Sequence, residues 1–153
     1  MAEIVHDKVF GEMTYEYGWR KKQSINILGQ KIEVEIIANA YSGDSIIETQ
    51  RNSYKWFLDN IKSLDENALN AVIEYAKKNS SYISERIFNN KALLPITIEN
   101  IDKFLKPTSI LFDRDNNSTI GILCDCKWEM EDGFAIKIEN QKITEMGTQD
   151  IIL

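Results

Sequence analysis

The chain has 153 residues, of which 43% are hydrophobic and 27% charged, a composition typical of a folded globular protein rather than a disordered one. Its net charge of −6 argues against nucleic-acid binding, because phosphate contacts depend on clustered Lys and Arg. With two prolines, seven glycines, no long apolar run and no signal-peptide core, the sequence predicts one cytoplasmic domain over residues 1–153 that makes no membrane contact.

Residues 10–40 are expected to be β-structure. Apolar residues alternate with polar ones in two short runs, at Ile25 and Ile27 and then at Ile32, Val34 and Ile36. This is the period of a strand with one buried face. Between the runs, Gly29-Gln30 predicts a tight hairpin turn with Gly at its first central position.

Residues 45–105 change to a helical period. Ser45-x-x-Glu48 and Ser63-x-x-Glu66 both match the capping box, which predicts two separate amphipathic helices. Their expected apolar stripes are Ile47, Tyr54, Leu58 and Ile61, and then Leu69, Val72, Ile73 and Ala76. A third, shorter helix is predicted from Ile98 to Leu105, with Thr97 as its cap and Pro107 beyond its end.

Residues 108–153 return to β-structure. Short apolar segments follow one another at 110–112, 120–128, 134–139 and around Ile143. The order of β, helical and β regions predicts an α+β fold. We expect a mainly antiparallel sheet, built from the N- and C-terminal β segments, with two to three helices in the middle of the chain.

Both cysteines of the chain lie in the segment 120–128. In a strand, Cys124 and Cys126 share one face with Ile120, Ile122 and Trp128, because successive side chains alternate. Free cysteine packs as a small apolar residue, and a C-x-C disulfide along an extended strand exceeds comfortable geometry. A zinc site would need about four ligands, and the chain has one histidine. The pattern therefore indicates two buried thiols.

The residues after this strand predict a hairpin with the three-residue loop Glu131-Asp132-Gly133. This register places Trp128 opposite Ile136 and Cys126 opposite Ile138, and it requires a left-handed conformation at Gly133. Glu129, Glu131 and Asp132 are then expected on an outer face and a turn tip, as solvated carboxylates.

A polar segment at 113–119 begins with the Asp-x-Asp-x-Asn spacing of calcium loops. Ser118 stands where the sharp turn needs Gly, and Cys124 where the bidentate Glu belongs. A loop between strands is favoured, although the sequence does not decide whether it holds an ion.

Trp56 lies opposite the apolar stripe of the first predicted helix. Two interpretations stay open. The indole is either an exposed anchor for a protein partner, or it is covered by another segment such as Tyr82 to Phe88.

Several short motifs resemble a family of small bacterial proteins of unknown function. They are Phe10-Gly11-x-Met13, Gly18-Trp19, Gln50 with Tyr54, Cys126-x-Trp128-Glu129-x-Glu131-Asp132-Gly133, and Ile143-Thr144-Glu145-x-Gly147-x-Gln149-Asp150. Members usually carry histidine in the hairpin where this chain has Asp132. The resemblance implies no established activity. Domains of this size and build are similar to ones near bacterial toxin and immunity loci, where small acidic proteins block a toxin.

The sequence predicts no catalytic residue, cofactor or metal ligand, because nucleophile motifs, phosphate loops and histidine pairs do not occur in it. We therefore expect a non-enzymatic protein-binding module of immunity type, monomeric or homodimeric, for a partner with a basic surface. The candidate contacts are Trp56, Glu129, Glu131 and Asp132. The alternative is a small-molecule enzyme of hydrolase type that uses carboxylates of the 129–132 hairpin.

Overall fold

The computed structural model describes residues 3–87 and 91–153, which form an eight-stranded sheet with two helices. The spatial order of the strands equals their order along the chain. They are β1 (Ile4–Asp7), β2 (Gly11–Tyr15), β3 (Trp19–Ile27), β4 (Gln30–Ala38), β5 (Leu105–Phe112), β6 (Ile120–Cys126), β7 (Phe134–Glu139) and β8 (Lys142–Gly147). The helices α1 (Glu48–Lys78) and α2 (Ser80–Arg86) lie between β4 and β5. The α+β class is as predicted, and the sheet makes up much of the chain rather than its two ends alone.

Neighbouring strands are antiparallel except for β4 and β5, which run parallel with Ala38 beside Phe112. Antiparallel neighbours need only a tight turn, whereas a parallel pair needs a long crossover connection. The helical segment supplies that connection. The fold is therefore two four-stranded meanders that are joined through α1 and α2.

The two amphipathic helices expected after Ser45 and Ser63 are one helix, α1, of 31 residues. Glycine and proline are absent from this segment, so nothing interrupts the helical hydrogen bonding. Ser63 does not cap a helix; its hydroxyl donates to the carbonyl of Asn60 at 3.1 Å. The buried stripe also differs from the prediction, since Phe57, Leu64 and Ala68 are buried while Leu58 is 37% exposed.

The start of α1 is fixed by Gln50 and not by Ser45. The N-cap residue is Ile47, whose backbone N–H donates to Oε1 of Gln50 at 3.1 Å. Nε2 of Gln50 donates to the carbonyls of Asn39, at 2.7 Å, and Phe112, at 3.1 Å. This fully buried amide therefore ties the helix start to the ends of the parallel strands β4 and β5.

The prediction of a third helix from Ile98 to Leu105 is wrong. This region contains a single 3₁₀ turn at Ile101–Lys103, and strand β5 begins at Leu105. Pro107 belongs to β5, where the pairing with β6 shifts between Pro107 and Ser109. A proline has no N–H for the ladder, so it fits a strand at such an irregularity.

The β3–β4 turn lies one residue earlier than expected. Ile27 pairs with Gln30, so the central residues are Leu28 and Gly29, with φ of 52° and 71°. Two positive φ angles are those of a type I′ turn, which matches the right-handed twist of the strands.

The main core lies between α1 and one face of the sheet. The ring of Tyr54 stacks on Phe10 at 4.4 Å and meets the edge of Phe112 at 5.4 Å, while Phe57 contacts Phe112 at 5.7 Å. The C-terminal segment packs against strand β6. A Cβ on Gly121 of this strand would lie 2.9 Å from the side chain of Ile152. The C-terminal residues therefore approach the sheet closely at Gly121.

Candidate functional site

The connection between β6 and β7 is the seven-residue segment 127–133, which we call the acidic loop, and not the predicted three-residue turn. Ile122 pairs with Ile136 and Ile120 with Ile138, so the register differs from the expected one by six residues. Because six is an even number, each side chain keeps its predicted face. The left-handed conformation expected at Gly133 is present, with φ of 65°.

Trp128 belongs to this longer loop, because β6 ends at Cys126. Its side chain is 1% exposed, and its ring meets that of Phe134 at 5.6 Å between ring centroids. The pairing of β6 with β7 ends at Cys124 and Phe134, whereas the N–H of Lys127 still donates to the carbonyl of Phe104 at 2.9 Å, in register with the Leu105–Cys126 pair. The indole thus packs beneath the loop, whose residues Met130, Glu131 and Asp132 are exposed.

Hydrogen bonds fix the base of the acidic loop on three sides. Within the loop, the N–H of Gly133 donates to the carbonyl of Glu129 at 2.8 Å. From α2, Nε of Arg86 donates to the carbonyl of Trp128 at 2.7 Å. From the C-terminal segment, the N–H of Gln149 donates to the carbonyl of Asp132 at 3.2 Å. The loop is consequently well connected although it has no regular secondary structure.

Glu129 is not the solvated carboxylate that the sequence predicts. It is 8% exposed, its Oε1 accepts a hydrogen bond from the hydroxyl of Tyr82, and its Oε2 lies 3.4 Å from NH2 of Arg86. The hydrogen bond to Glu129 raises the pKa of Tyr82, because ionisation would remove the donated proton. The helix α2, which the sequence patterns did not predict, brings both partners to Glu129.

Glu131 and Asp132 are exposed, as predicted. Met130, which lies between Glu129 and Glu131, is 81% exposed and was not among the predicted contact residues. The signal in the sequence was a single apolar side chain within an acidic turn, where neighbouring carboxylates keep the backbone at the surface.

Two open clefts meet at the acidic loop. One, of about 390 Å³, is lined by Glu129, Glu131 and Asp132 of the loop and by Glu85 and Arg86 of α2. The other, of about 570 Å³, lies toward the start of β5 and the end of β6. Met130 and Lys127 line both clefts, so Met130 lies between the two.

The fourth predicted contact residue, Trp56, is not part of this site. It is half-buried, and it packs against the core cluster. Tyr75, whose ring meets Phe134 at 5.2 Å, marks the level of the acidic loop on α1. Nineteen residues of helix separate Trp56 from Tyr75, which corresponds to roughly 28 Å. Of the segment suggested to cover Trp56, Phe88 lies outside the described residues.

The two cysteines are free and buried, as the strand pattern predicts. Burial raises the pKa of the Cys126 thiol to about 12, and it raises the pKa of Cys124 still further. A neutral, enclosed thiol is a poor nucleophile and a poor metal ligand. Their role is core packing.

In the polar segment 113–119, Asp115 bonds within its own loop. Its carboxylate accepts from the N–H of Thr119 at 2.9 Å and from the hydroxyl of Thr119 at 2.5 Å. Asp113 accepts from the N–H of Arg114 at 2.8 Å and from Nδ2 of Asn39 at 3.2 Å.

In the described part of the chain, no three His, Cys, Asp or Glu side chains are grouped as they would be around a metal ion. The same residues include no helix that is both long enough and apolar enough for a membrane span.

Comparison with known proteins gives one match. A family model described as a domain of unknown function (DUF6985) matches residues 9–153. No curated protein and no solved structure matches the chain.

Proposed function

Because this chain belongs to the DUF6985 family, whose function is unknown, its role has to be inferred from its own surface, and we propose a non-enzymatic protein-binding module that contacts a basic partner through the acidic loop. The observation that carries this proposal is the exposure of Met130, at 81%, on a loop whose base is bonded to α2 and to the C-terminal segment.

Met130 supplies the apolar part of the contact. Interfaces are enriched in methionine relative to the remaining surface, and the flexible thioether adapts to a partner of irregular shape. The clefts on its two sides give a partner side chain room to pack against it. A methionine held between two clefts is thus suited to anchor a protein contact.

Glu131 and Asp132 supply the charge. Both are exposed beside Met130, and the chain as a whole carries −6. Complementary charge accelerates encounter and selects among partners more than it adds affinity. A basic partner is therefore favoured over a neutral or acidic one.

The buried Glu129 contributes rigidity and no direct contact. Its bonds to Tyr82 and Arg86 hold the loop against α2, so that less conformational entropy is lost when a partner binds. The loop is prepared for binding before the partner arrives.

In this proposal the protein acts in the cytoplasm as a monomer or homodimer, and its role is of immunity type: it binds and blocks a basic toxin. The test begins with purification from the native host under gentle conditions. The expected result is one basic protein in stoichiometric amount. Its affinity for pure variants is then measured by calorimetry.

Met130→Ala is expected to weaken this binding by about fivefold, the equivalent of roughly 1 kcal/mol, and the double change Glu131→Lys with Asp132→Lys to weaken it further. Glu66→Lys, a charge reversal at an exposed position of α1, is the matched control and should bind normally. Equal affinity of the wild type and the loop variants would contradict the proposal.

A hydrolase-type enzyme is the second candidate, and one observation favours it: Glu129, Glu131 and Asp132 line the same cleft. Both oxygens of Glu129 already have partners, and the other two carboxylates are exposed, which favours the binding function. Turnover of ester, phosphate or glycoside substrates that is lost in Glu131→Gln and Asp132→Asn would support the enzyme. Normal partner binding without turnover would exclude it.

A further inference from the structure

Tyr17 and Tyr41 are, at 88% and 84%, the most exposed large side chains of aromatic or aliphatic type among residues 3–87 and 91–153. Tyr17 lies in the β2–β3 turn and Tyr41 in the connection from β4 to α1. Large exposed aromatic side chains are enriched at protein interfaces, where they supply contact area at a small cost in side-chain entropy.

The two turns are in direct contact. The hydroxyl of Tyr15 donates to the carbonyl of Ala40 at 3.0 Å, and a Cβ on Gly18 would lie 3.9 Å from the backbone nitrogen of Ala40. Tyr17 and Tyr41 are each one residue away from this contact. We call the exposed surface of these two touching turns, which carries both tyrosines, the tyrosine patch.

The backbone beneath the tyrosine patch is fixed by hydrogen bonds. Nε1 of Trp19 donates to the carbonyl of Asp44 at 2.9 Å, and the N–H of Asp44 donates to the carbonyl of Tyr41 at 3.0 Å. On the other turn, NH2 of Arg20 donates to the carbonyl of Tyr17 at 3.2 Å. Both rings are presented to solvent from a backbone that is already ordered.

Tyr17 also has a strained backbone. Its φ of 55° lies in the left-handed region, which glycine and asparagine adopt more readily than tyrosine. A ring that is 88% exposed gains little from contacts within the chain to offset this strain. Strained residues of this kind concentrate at functional sites.

The charge beside the tyrosine patch is negative once internal pairs are counted. Arg20 forms an ion pair with Glu35 at 2.5 Å. NH1 of Arg114 donates to the neutral carbonyl of Ser45 at 2.8 Å, so Arg114 keeps its positive charge, which the carboxylate of the neighbouring Asp113 offsets. Glu16, next to Tyr17, is exposed and has no ion-pair partner in the described part of the chain. An aromatic face beside a free carboxylate attracts a guanidinium or ammonium group.

We propose that the tyrosine patch is a second contact surface, which binds an arginine- or lysine-bearing segment of a protein partner. It lies beyond the proposed function, because it is at the opposite end of the sheet. Trp19, Ala38, Phe112 and Ile120 are neighbours at the end of the tyrosine patch. Leu105 and Cys126 pair at the other end, which carries the acidic loop.

The test is an NMR titration of the full chain, with ¹³C-labelled tyrosine rings and methionine methyl groups, against an acetylated tri-arginine peptide. The expected result is a saturable shift of the Tyr17 and Tyr41 rings with no shift of the buried Tyr54 ring. An acetylated triglycine peptide is the control and should shift none of them. The absence of a shift at Tyr17 and Tyr41 at millimolar tri-arginine would overturn the proposal.

Two variants separate binding from folding. Tyr17→Asn relieves the backbone strain, so its Tm should equal or exceed that of the wild type while the tri-arginine shifts at Tyr41 become at least several-fold weaker. Tyr41→Ser should likewise weaken the shifts at Tyr17. Unchanged peptide affinity in both folded variants would overturn the proposal.

The same titration keeps the two surfaces apart, because the methyl group of Met130 reports on the acidic loop alone. A shift at Met130 without a shift at the tyrosines would refute the tyrosine patch and leave the proposed function intact. Shifts at the tyrosines alone support the patch independently of the acidic loop. Self-association in light scattering that Tyr17→Asn abolishes would assign the patch to a second copy and overturn the basic partner.

Discussion

The side-chain amide of Gln149 lies so close to Gly133 that a Cβ on this glycine would be 2.4 Å from Nε2 of Gln149 and 2.9 Å from the carbonyl oxygen of Cys124. Nε2 of Gln149 in turn donates to that carbonyl at 3.1 Å. The hairpin motif and the C-terminal motif are therefore two halves of one packed unit at the base of the acidic loop.

This relationship predicts that Gly133→Ala destabilises the protein strongly. The new methyl group combines left-handed backbone strain with overlap against a side chain and a backbone oxygen, and we expect a loss of about 3 kcal/mol in the free energy of unfolding. Urea denaturation measures it. Gly43→Ala is the matched control, since Gly43 also has a left-handed φ, of 89°, but nothing within 4 Å of its Cβ position. It should cost only about 1 kcal/mol, and equal losses in both variants would refute the packing argument.

The buried thiols predict a reaction with thiol reagents only after unfolding. Because burial raises the pKa of Cys126 to about 12, both thiols stay neutral at pH 8, and neither is accessible. Ellman's reagent should detect no thiol in the native protein and two in guanidinium chloride. Met130→Cys, which places a thiol on the exposed loop, is the positive control and should add one rapidly reacting group. Fast labelling of the native wild type would show that the β6 face is open.

The environment of Asp7 predicts that the free energy of unfolding decreases at acidic pH. Burial would raise the pKa of this carboxyl, but the N–H groups of Phe10 and Val9 and the guanidinium of Arg51 outweigh burial and hold the pKa below its usual value. Since the pKa is lower in the folded state, Asp7 stabilises the fold above about pH 4, and this contribution is lost as the pH falls toward the folded pKa.

Asp7→Asn should consequently cost roughly 1–3 kcal/mol at pH 7 and progressively less below pH 4. Urea denaturation at several pH values measures the difference. Glu66→Gln, at an exposed position of α1, is the control and should leave the free energy of unfolding nearly unchanged. A constant penalty for Asp7→Asn from pH 7 to pH 3 would contradict the role of the ionised carboxylate.

The bond between Tyr82 and Glu129 predicts a tyrosine that titrates late. Glu129→Gln removes the negative charge that opposes ionisation, so the phenol of Tyr82 should lose its proton at a lower pH than in the wild type. Absorbance near 295 nm follows this titration, and Tyr82→Phe identifies which tyrosine is responsible. The titration of Tyr82 should be unaffected by Glu131→Gln. A curve that is identical in the wild type and in Glu129→Gln would mean that the bond is absent in solution.

The local periodicity of the sequence was sufficient to predict several strands and the face that each of them buries. The alternation around Ile25 and Val34 predicts the strands β3 and β4, and the face shared by Cys124 and Cys126 is buried as expected. These predictions hold because the side chains on one face of a strand depend only on alternation along that strand. Gly133 was predictable for a similar reason, since a turn that needs positive φ selects glycine wherever the strands end.

The helices show where local signals are insufficient. Ser63 and Glu66 match a helix start, yet α1 continues through them, because a capping motif lowers the cost of a helix end without forcing one. The actual start depends on Gln50, whose amide bonds to Phe112, 62 residues away. A partner at this distance along the chain has no periodic signature.

For the candidate site, the local sequence pattern predicts that Glu131 and Asp132 lie in an exposed acidic turn, because charged side chains around a glycine avoid burial. Three other features depend on long-range packing: the burial of Glu129, the position of Met130 between two clefts and the distance of Trp56 from the acidic loop. Burial of Glu129 requires Tyr82 and Arg86 of α2, which are more than 40 residues distant along the chain. Desolvating a carboxylate is unfavourable unless partners compensate, and those partners are set by how α2 packs, which local patterns do not encode.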